Sequence, residues 1–558
     1  MRTLFAGVVL VLAACRPAIA APSCPDAGEY HASIYPSPDL FQGAIAREEA
    51  YTPPSLKITG ITVPHHLVAA HLIARGFKAA SGKAYSRVIL LAPDHFFGSR
   101  KPFATTPASF ETPLGPVETD REAVRTLLAD DRVESSCLFR REHGIQALLP
   151  FMRQYLPAAK LVPIAISLKA NRADWDRLVE LLSPLADDDT LIVQSTDFSH
   201  YHPHEKARLF DQQVLNVIAS GSLEVLLKLH QPDHLDSLGS MYVQLSLQAA
   251  RHNASPLVIA SENQQQYTHR RVQETTSYIA MLFARLEDGV FAHEDGAEVA
   301  YLGGDTHFGR GMTLALADAD AADRVAEAVL SRTHGHPLVV NLEGVILPNV
   351  PDGLPHLTLA MPEDMTIDWL QRLNVAGVSL ANNHAMDLGD SGLAETLEAL
   401  QRSGIPAIRQ GERLDLGKLS IVGLSDLDSN GPPFTKLATP ALLDRLIVPD
   451  ATRPVAAFVH WGREYAAEAT PRELYLADEI RLRGVPLIVG AHPHVADENL
   501  APLSGGETLM AYSLGNFLFD QSASKSSGSL LEVRVFEQGT FFARRLPLPN
   551  LFDLARQR

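Results

Sequence analysis

The chain has 558 residues, 46% of them hydrophobic and 20% charged, and its 48 Lys and Arg stand against 65 Asp and Glu for a net charge of −17. That length exceeds what a single hydrophobic core holds and predicts two domains, while the composition excludes a disordered or fibrous chain. The acidic balance excludes nucleic acid or an anionic membrane surface as the main partner, although metal ions held in a site reverse the field locally and leave an anionic substrate open.

In chain order, "MRTLFAGVVLVLAACRPAIAAPSC" opens with a basic residue, a short apolar run and small residues at two cut points. Residues 1–20 therefore read as a secretory signal, too short to stay in a bilayer as a spanning helix. "LAAC" ending at Cys15 has the form of a lipobox, in which the cysteine is lipidated, whereas "AIA" before Ala21 suits an ordinary signal peptidase. Both routes predict export, to the periplasm or to a membrane-anchored lipoprotein, with that lipid as the only membrane attachment. Beyond the signal only Cys24 and Cys137 remain. They suffice for one disulfide in an oxidising compartment and are too few for a scaffold, so a metal site must draw on His, Asp, Glu and Asn.

Residues 21–54, rich in Pro and small polar types, predict a linker. From 55 to 288 the apolar runs "SRVILLAP", "KLVPIAIS", "TLIVQSTD" and "SPLVIASE" alternate with helical patterns such as "ADWDRLVELLSPLA". A polar, Gly-containing break near 288 separates a second series over 289–558: "EVAYLGGD", "PLVVNLEG", "VAGVSLANN", "LSIVGLSD", "PVAAFVHWG" and "VPLIVGAHPH". Continuous apolar strands between helices predict sheets buried on both faces, an α/β fold in each half. One helix shows its own signals: "GDSGLAETLEALQRSG" offers Asp390 or Ser391 as N-cap, a leucine face, and Gly404 as stop.

Ligands of open α/β sheets sit at the carboxyl ends of strands, and in the second half those ends carry metal-ligand types. They supply Asp305 and His307, Asn341 and Glu343, Asn382 to His384, His460, and the pair His492 and His494 in "GAHPHV". Five such strand ends in one domain predict one convergent metal centre. Arg310 and Arg463 nearby read either as binders of an anionic substrate or as surface ion-pair partners, and Trp461 and Tyr465 as packing or recognition. In the first half "PHHLVAAH", "APDHF", "REHGIQ" and "STDFSHYHPH" bring His65, His95, Glu142, His143, Asp197 and His200.

The motifs "GDTHFGR", "NLEG", "NNHAMDLGDSG", "HWGREY", "GAHPHV" and "YSLGNFLFDQ" resemble, in order, the CapA family of capsule and poly-γ-glutamate synthesis, over about 296–550. That resemblance implies the calcineurin-like metallophosphoesterase fold, a four-layer α/β sandwich with two divalent metals of the Mn, Zn or Fe type. Carried over by position, Asp305, His307 and His494 hold the first metal, Glu343 takes the usual place of a bridging aspartate, and Asn383, His460 and His492 hold the second. His384 then assists the reacting group, without binding metal. Such a pair of ions polarises a phosphoryl or carbonyl oxygen and acidifies a bridging water, with His384 as proton donor.

Residues 55 to about 285 resemble the Memo-like family, the system protein B of the AmmeMemoRadiSam group, which shares its fold with class III extradiol dioxygenases. The resemblance places His65 and His95 as ligands of one Fe or Cu ion and Asp197 with His200 as the acid–base pair of "STDFSH". The third ligand departs from the family: the comparable stretch "NQQQYTHRRVQ" offers only His269. This leaves a three-histidine site or one without its third ligand, and ring cleavage is not expected. Two functions follow. One is an exported metal-dependent hydrolase acting on a phosphoester or amide of an envelope or capsule polymer. The other is a non-catalytic factor that binds or exports such an anionic polymer with structural metals.

Overall fold

The computed structural model describes residues 24–285, 296–427, 440–448 and 453–557. The signal region with Cys15, and the polar break around 288, lie outside the described residues.

The apolar runs of the first half fold into one nine-stranded sheet. Ile58–Val63, Thr190–Ser195, Arg87–Pro93 and Lys160–Ile166 lie side by side and parallel at its centre. Their side chains are buried on both faces, which is why they read as unbroken Val, Ile and Leu rather than as an alternating pattern. One face packs beneath the helix Ala70–Ala80, whose Leu72, Ile73 and Phe77 are fully buried; the other packs beneath Arg172–Leu182 and Leu238–Leu247. Thr275–Ala284 and Ser255–Asn263 close one edge antiparallel.

The segment predicted as a linker is part of this domain from Cys24 onward. Tyr30–His31 pairs with Ser109–Phe110, and the helix Asp39–Arg47 buries Phe41 and Ala44. Its proline and polar content hid a short amphipathic helix whose Phe41 and Ala44 point inward while Leu40 stays exposed.

In the second half two sheets face each other. One has the order Ala407–Ile408, Val375–Ser379, Leu338–Leu342, Ala297–Thr306, Gly528–Phe536, Phe541–Leu548; the other is built round Leu419–Ser425, Val455–His460 and Leu487–Ala491. Leu302, Val339, Leu531 and Val533 of the first interdigitate with Ile421, Phe458 and Val489 of the second. The helices Ala319–Thr333 and Gly389–Arg402 cover the outer face of one sheet, and Pro471–Arg481 that of the other. The result is the expected α/β/β/α sandwich. The helix Gly389–Arg402 has its N-cap at Leu388, two residues before the nearer of the anticipated caps, with Asp390 in the first turn, and Gly404 ends it in a left-handed conformation (φ +72°).

The halves are joined through the helix His204–Ser220. Gln212 exchanges two hydrogen bonds with the Phe541 backbone (3.0 and 2.9 Å), and Asn216 Nδ2 donates to Gly506 O at 2.9 Å. Phe536 and Phe542 enter the core of the first domain. Among the described residues no helix is long and apolar enough to cross a membrane.

Candidate metal centres

Both clusters lie at the carboxyl ends of parallel strands, where backbone pairing stops and side chains converge. In the second domain Asp305, Glu343 and His460 are each at most 1% exposed, and their donor atoms all lie within 4.8 Å of one another. Asp305 accepts from the His492 backbone N–H on both oxygens (3.0 Å) and faces His494 Nδ1 at 3.1 Å. His460 Nε2 meets Asn383 Oδ1 at 2.8 Å, and the rings of His460 and His492 are 4.8 Å apart. The structure therefore brings together Asp305, Glu343, Asn383, His460, His492 and His494.

Asn341 stands at the centre of the set. Its Nδ2 donates to Asp305 Oδ1 (2.9 Å) and Glu343 Oε1 (3.2 Å) and lies 3.0 Å from His460 Nδ1. Burial, and then the Asp305 charge, push the Glu343 carboxyl well up, whereas His494 holds Asp305 low in spite of burial. Burial also pushes His492 down to about 4 and His460 well below the ordinary imidazole value. Asp305 raises His494 against burial; two neutral imidazoles, this one and two crowded carboxyls are a donor set that a cation satisfies. The buried Nδ1 of His492 has no hydrogen-bond partner, as expected of a lone pair meant for a metal.

His307 borders this group. Its Nδ1 donates to the Glu343 carbonyl at 3.0 Å, and its Nε2 is buried, without a partner, against Gly309. A partner on Nδ1 that leaves Nε2 unpaired is the arrangement of a histidine oriented for a metal. His384 is part-exposed at the mouth; its Nδ1 is bonded to Asp387 Oδ2 at 2.9 Å, and the same oxygen accepts from Leu359 N at 2.7 Å. The carboxylate fixes the Nδ1–H tautomer and leaves Nε2 free. Arg310 is occupied: it is ion-paired with Asp520 and lies over the Phe519 ring at 5.5 Å. Arg463 is exposed. Trp461 is core, fully buried with its Nε1 donating to Tyr512 O, while Tyr465 is 48% exposed at the rim.

In the first domain a cavity of about 800 Å³ is lined by His65, His95, His143, Asp197, His200 and Asp236. Ser195 Oγ gives its hydrogen to Gly144 O (2.5 Å), so it accepts from His65 Nδ1 (3.1 Å), and His65 Nε2 is left facing Asp236 at 3.1 Å and Asp197 at 3.5 Å. His95 Nδ1 is bonded to Glu142 at 2.6 Å, which turns its Nε2 to Asp236 at 3.4 Å. Partners on Nδ1 that present Nε2 are the arrangement that orients metal-binding histidines. His143 closes the cluster, its ring 4.2 Å from that of His95. Asp197 accepts from the His65 backbone N–H, and His200 Nε2 is 4.0 Å from Asp236.

The predicted third ligand, His269, is exposed and outside the cavity. The Asn263 capping box starts a short turn in which Tyr267 pairs with Glu262, and this carries the following loop outward. Among the described residues His65 converges with His95 and His143 in one donor group, and with Asp197 and Asp236 in another; of these the sequence reading had missed Asp236. Strand-end reasoning passed over it because it precedes the Ser237 N-cap of a helix, behind a cis Gln231–Pro232 bond. Backbone strain marks both centres. Arg310, Tyr465, His492 and His494 have positive φ at one, and Tyr201 lines the other with φ 61°.

Residues 42–281 match the family described as Memo-like protein, and residues 300–417 and 449–521 match the bacterial capsule synthesis protein PGA_cap. A PGA biosynthesis protein CapA of Bacillus subtilis (strain 168) is 31% identical over 196 residues, 31% of this chain and 51% of that protein. A MEMO1 family protein of Caldivirga maquilingensis is 28% identical over 172 residues, 29% of this chain and 60% of its own length. The chain thus spans half to three-fifths of these relatives. A hypothetical protein of Thermus thermophilus aligns in structure over 45% of this chain and 100% of its own, at 18% identity and a TM-score of 0.30.

Proposed function

Because the chain joins a Memo-like domain to a bacterial capsule synthesis domain of the PGA_cap type, we propose that it is an exported, metal-dependent hydrolase of a phosphoester or amide bond in an envelope polymer. The observation that carries this reading is the convergence of Asp305, Glu343 and His460 within 4.8 Å at the end of the second sheet sandwich. Asn383, His492 and His494 complete the donor set. Metals of the Mn, Zn or Fe type bound there supply Lewis acidity and an acidified water. The residues of the chain do the rest. Asp387 holds the His384 ring so that Nε2 faces the reacting group, where it takes the proton of the attacking water and passes it to the departing oxygen or nitrogen. The strained His492 and His494 backbones, tied to Asp305, fix two imidazoles against one carboxylate.

In the first domain His65, His95 and Asp236 form a two-histidine, one-carboxylate set that suits a single iron ion better than copper. Asp197 and His200 border the cavity as its acid–base pair. Turnover of a generic phosphodiester by the purified protein in Mn, Zn and Fe tests the hydrolase. His384→Ala should abolish turnover while leaving the metal content unchanged. Retention of an anionic polymer with no turnover in any metal would instead assign the protein to polymer binding or export.

A further inference from the structure

Cys24 and Cys137, 113 residues apart, form a disulfide that joins the start of the described chain to the loop behind the first centre. Cys137 opens the short turn Cys137–Arg140, which runs directly into Glu142 and His143. Glu142 is fully buried and holds His95 at both Nδ1 (2.6 Å) and the backbone N–H (3.0 Å). The neighbouring Gly144 carbonyl takes the hydrogen of Ser195, the hydroxyl that holds His65. The Cys137 arm thus orients both histidines.

The other arm crosses the cavity. From Cys24 the chain pairs over two residues with Ser109–Phe110, and His31 Nε2 is bonded to Thr106 Oγ1 at 3.0 Å. Ile34 N–H donates to Gln146 Oε1 at 2.9 Å, and Tyr35 then forms part of the cavity wall. His31, 1% exposed, stacks on Phe110 with ring centres 4.9 Å apart, and at the far end Phe41, also 1% exposed, is edge-on to Tyr35 and Phe151. Between Cys24 and Phe41 a two-residue ladder, a few hydrogen bonds and these ring contacts hold the strap, and so short a ladder frays readily once a covalent tie is lost.

We propose that residues 24–41 are a redox-sensitive strap over the first centre. With Cys24–Cys137 closed, Tyr35 walls the cavity and Glu142 holds His95 in place. On reduction the strap loosens and the centre releases its metal faster. The proposal rests on the reading of His65, His95 and Asp236 as a metal site. A dithiol reduces the bond by exchange: its first thiolate breaks the S–S bond, its second displaces the mixed disulfide, two hydrogens end on Cys24 and Cys137, and the dithiol closes to a cyclic disulfide.

The test uses the full chain loaded with Co(II), which reports on the first centre as the absorption lost in His65→Ala. A phosphine serves as reductant because dithiols bind the metal; it becomes the phosphine oxide, and water supplies its oxygen and the two thiol hydrogens. Release of that Co(II) to a chelator should speed up about 10-fold on reduction, the lower range for loss of a supporting contact. Amide exchange at residues 30–35 should rise together with it. Cys24→Ser/Cys137→Ser should match the reduced protein and ignore the phosphine. Unchanged release and unchanged exchange after complete reduction would overturn the strap. Equal Co(II) binding by the wild type and His65→Ala would instead remove the metal reading, and the exchange measurement then decides the strap alone.

Discussion

Replacing Asp236 by Asn tests the electrostatics of the first centre without metal. Burial acts to push His95 down, but its bonds to Asp236 and Glu142 lift it to about 10, from an ordinary value of 6.5. His65 is raised as well, by Asp197 and Asp236 against burial. A folded-state value above the unfolded one stabilises the protein fully below about pH 6.5, and that stability is lost as the pH climbs towards 10. Taken alone, a rise of this size for His95 corresponds to at most ~5 kcal/mol. Glu142 supplies part of it and the ring is one-fifth exposed, so ~2 kcal/mol is a fair share for Asp236. That is about 4–8 °C in a domain of this size. Chelator-treated wild type should therefore melt several degrees lower at pH 9.5 than at pH 6.5. Asp236→Asn should lower the pH 6.5 value, shrink the difference by about half, and stay folded because the amide keeps the volume. Parallel melting curves for the two proteins across this range, followed by calorimetry, would refute the placement of Asp236 between the two imidazoles.

Three further outcomes follow from the packing. A Cβ at Gly304 would lie 1.8 Å from the Gly515 carbonyl oxygen, so Gly304→Ala must displace the strand that carries Asp305. The expected cost is about 3 kcal/mol in chemical denaturation, with loss of second-domain metal in elemental analysis. Gln212→Ala removes both bonds to the Phe541 backbone and leaves two buried groups unpaired. A loss of about 2 kcal/mol and separation of one melting transition into two should appear in calorimetry. Asp387→Asn frees the His384 ring from its fixed tautomer; kcat should fall about 10- to 100-fold with KM nearly unchanged, as read from steady-state rates.

The strand-end pattern carried most of the second centre, because parallel strands buried on both faces have one open edge and polar groups must collect there. It made six of its seven proposed ligands neighbours and put the seventh, His307, at their border. Ring direction depends on what takes the other nitrogen, here the Glu343 carbonyl, and no spacing rule contains that. In the first half the sequence reading took His65 and His95 from the family resemblance but overlooked Asp236, which belongs to a helix leader rather than a strand end. It also assigned residues 21–54 to a linker from their composition, although Phe41, Ala44 and Cys24 are enough to pin them. Supporting groups such as Ser195, Glu142, Asn341 and Asp387 were present in the quoted motifs, yet their tasks exist only once separate strands have been brought together.

The two centres are built alike and protonated differently, and this orders their filling. In the second, burial keeps His492 at about 4 and His460 low, so near pH 6 these two imidazoles already offer lone pairs, and the protons to be displaced are those of Glu343 and of His494, which Asp305 raises against burial. In the first, His95 at about 10 and the raised His65 hold protons between carboxylates, and a cation must drive both off. Metal affinity then rises with pH in proportion to the protons released, and at the first centre the rise continues towards pH 10, where His95 gives up its proton. Dialysis of the metal-free protein against Mn(II) should give metal that depends on Asp305 at pH 6 and gain the share that depends on His65 by pH 8.5. Metal at the first centre in full occupancy at pH 6, with none gained on raising the pH, would mean that Asp236 and Glu142 do not hold those protons.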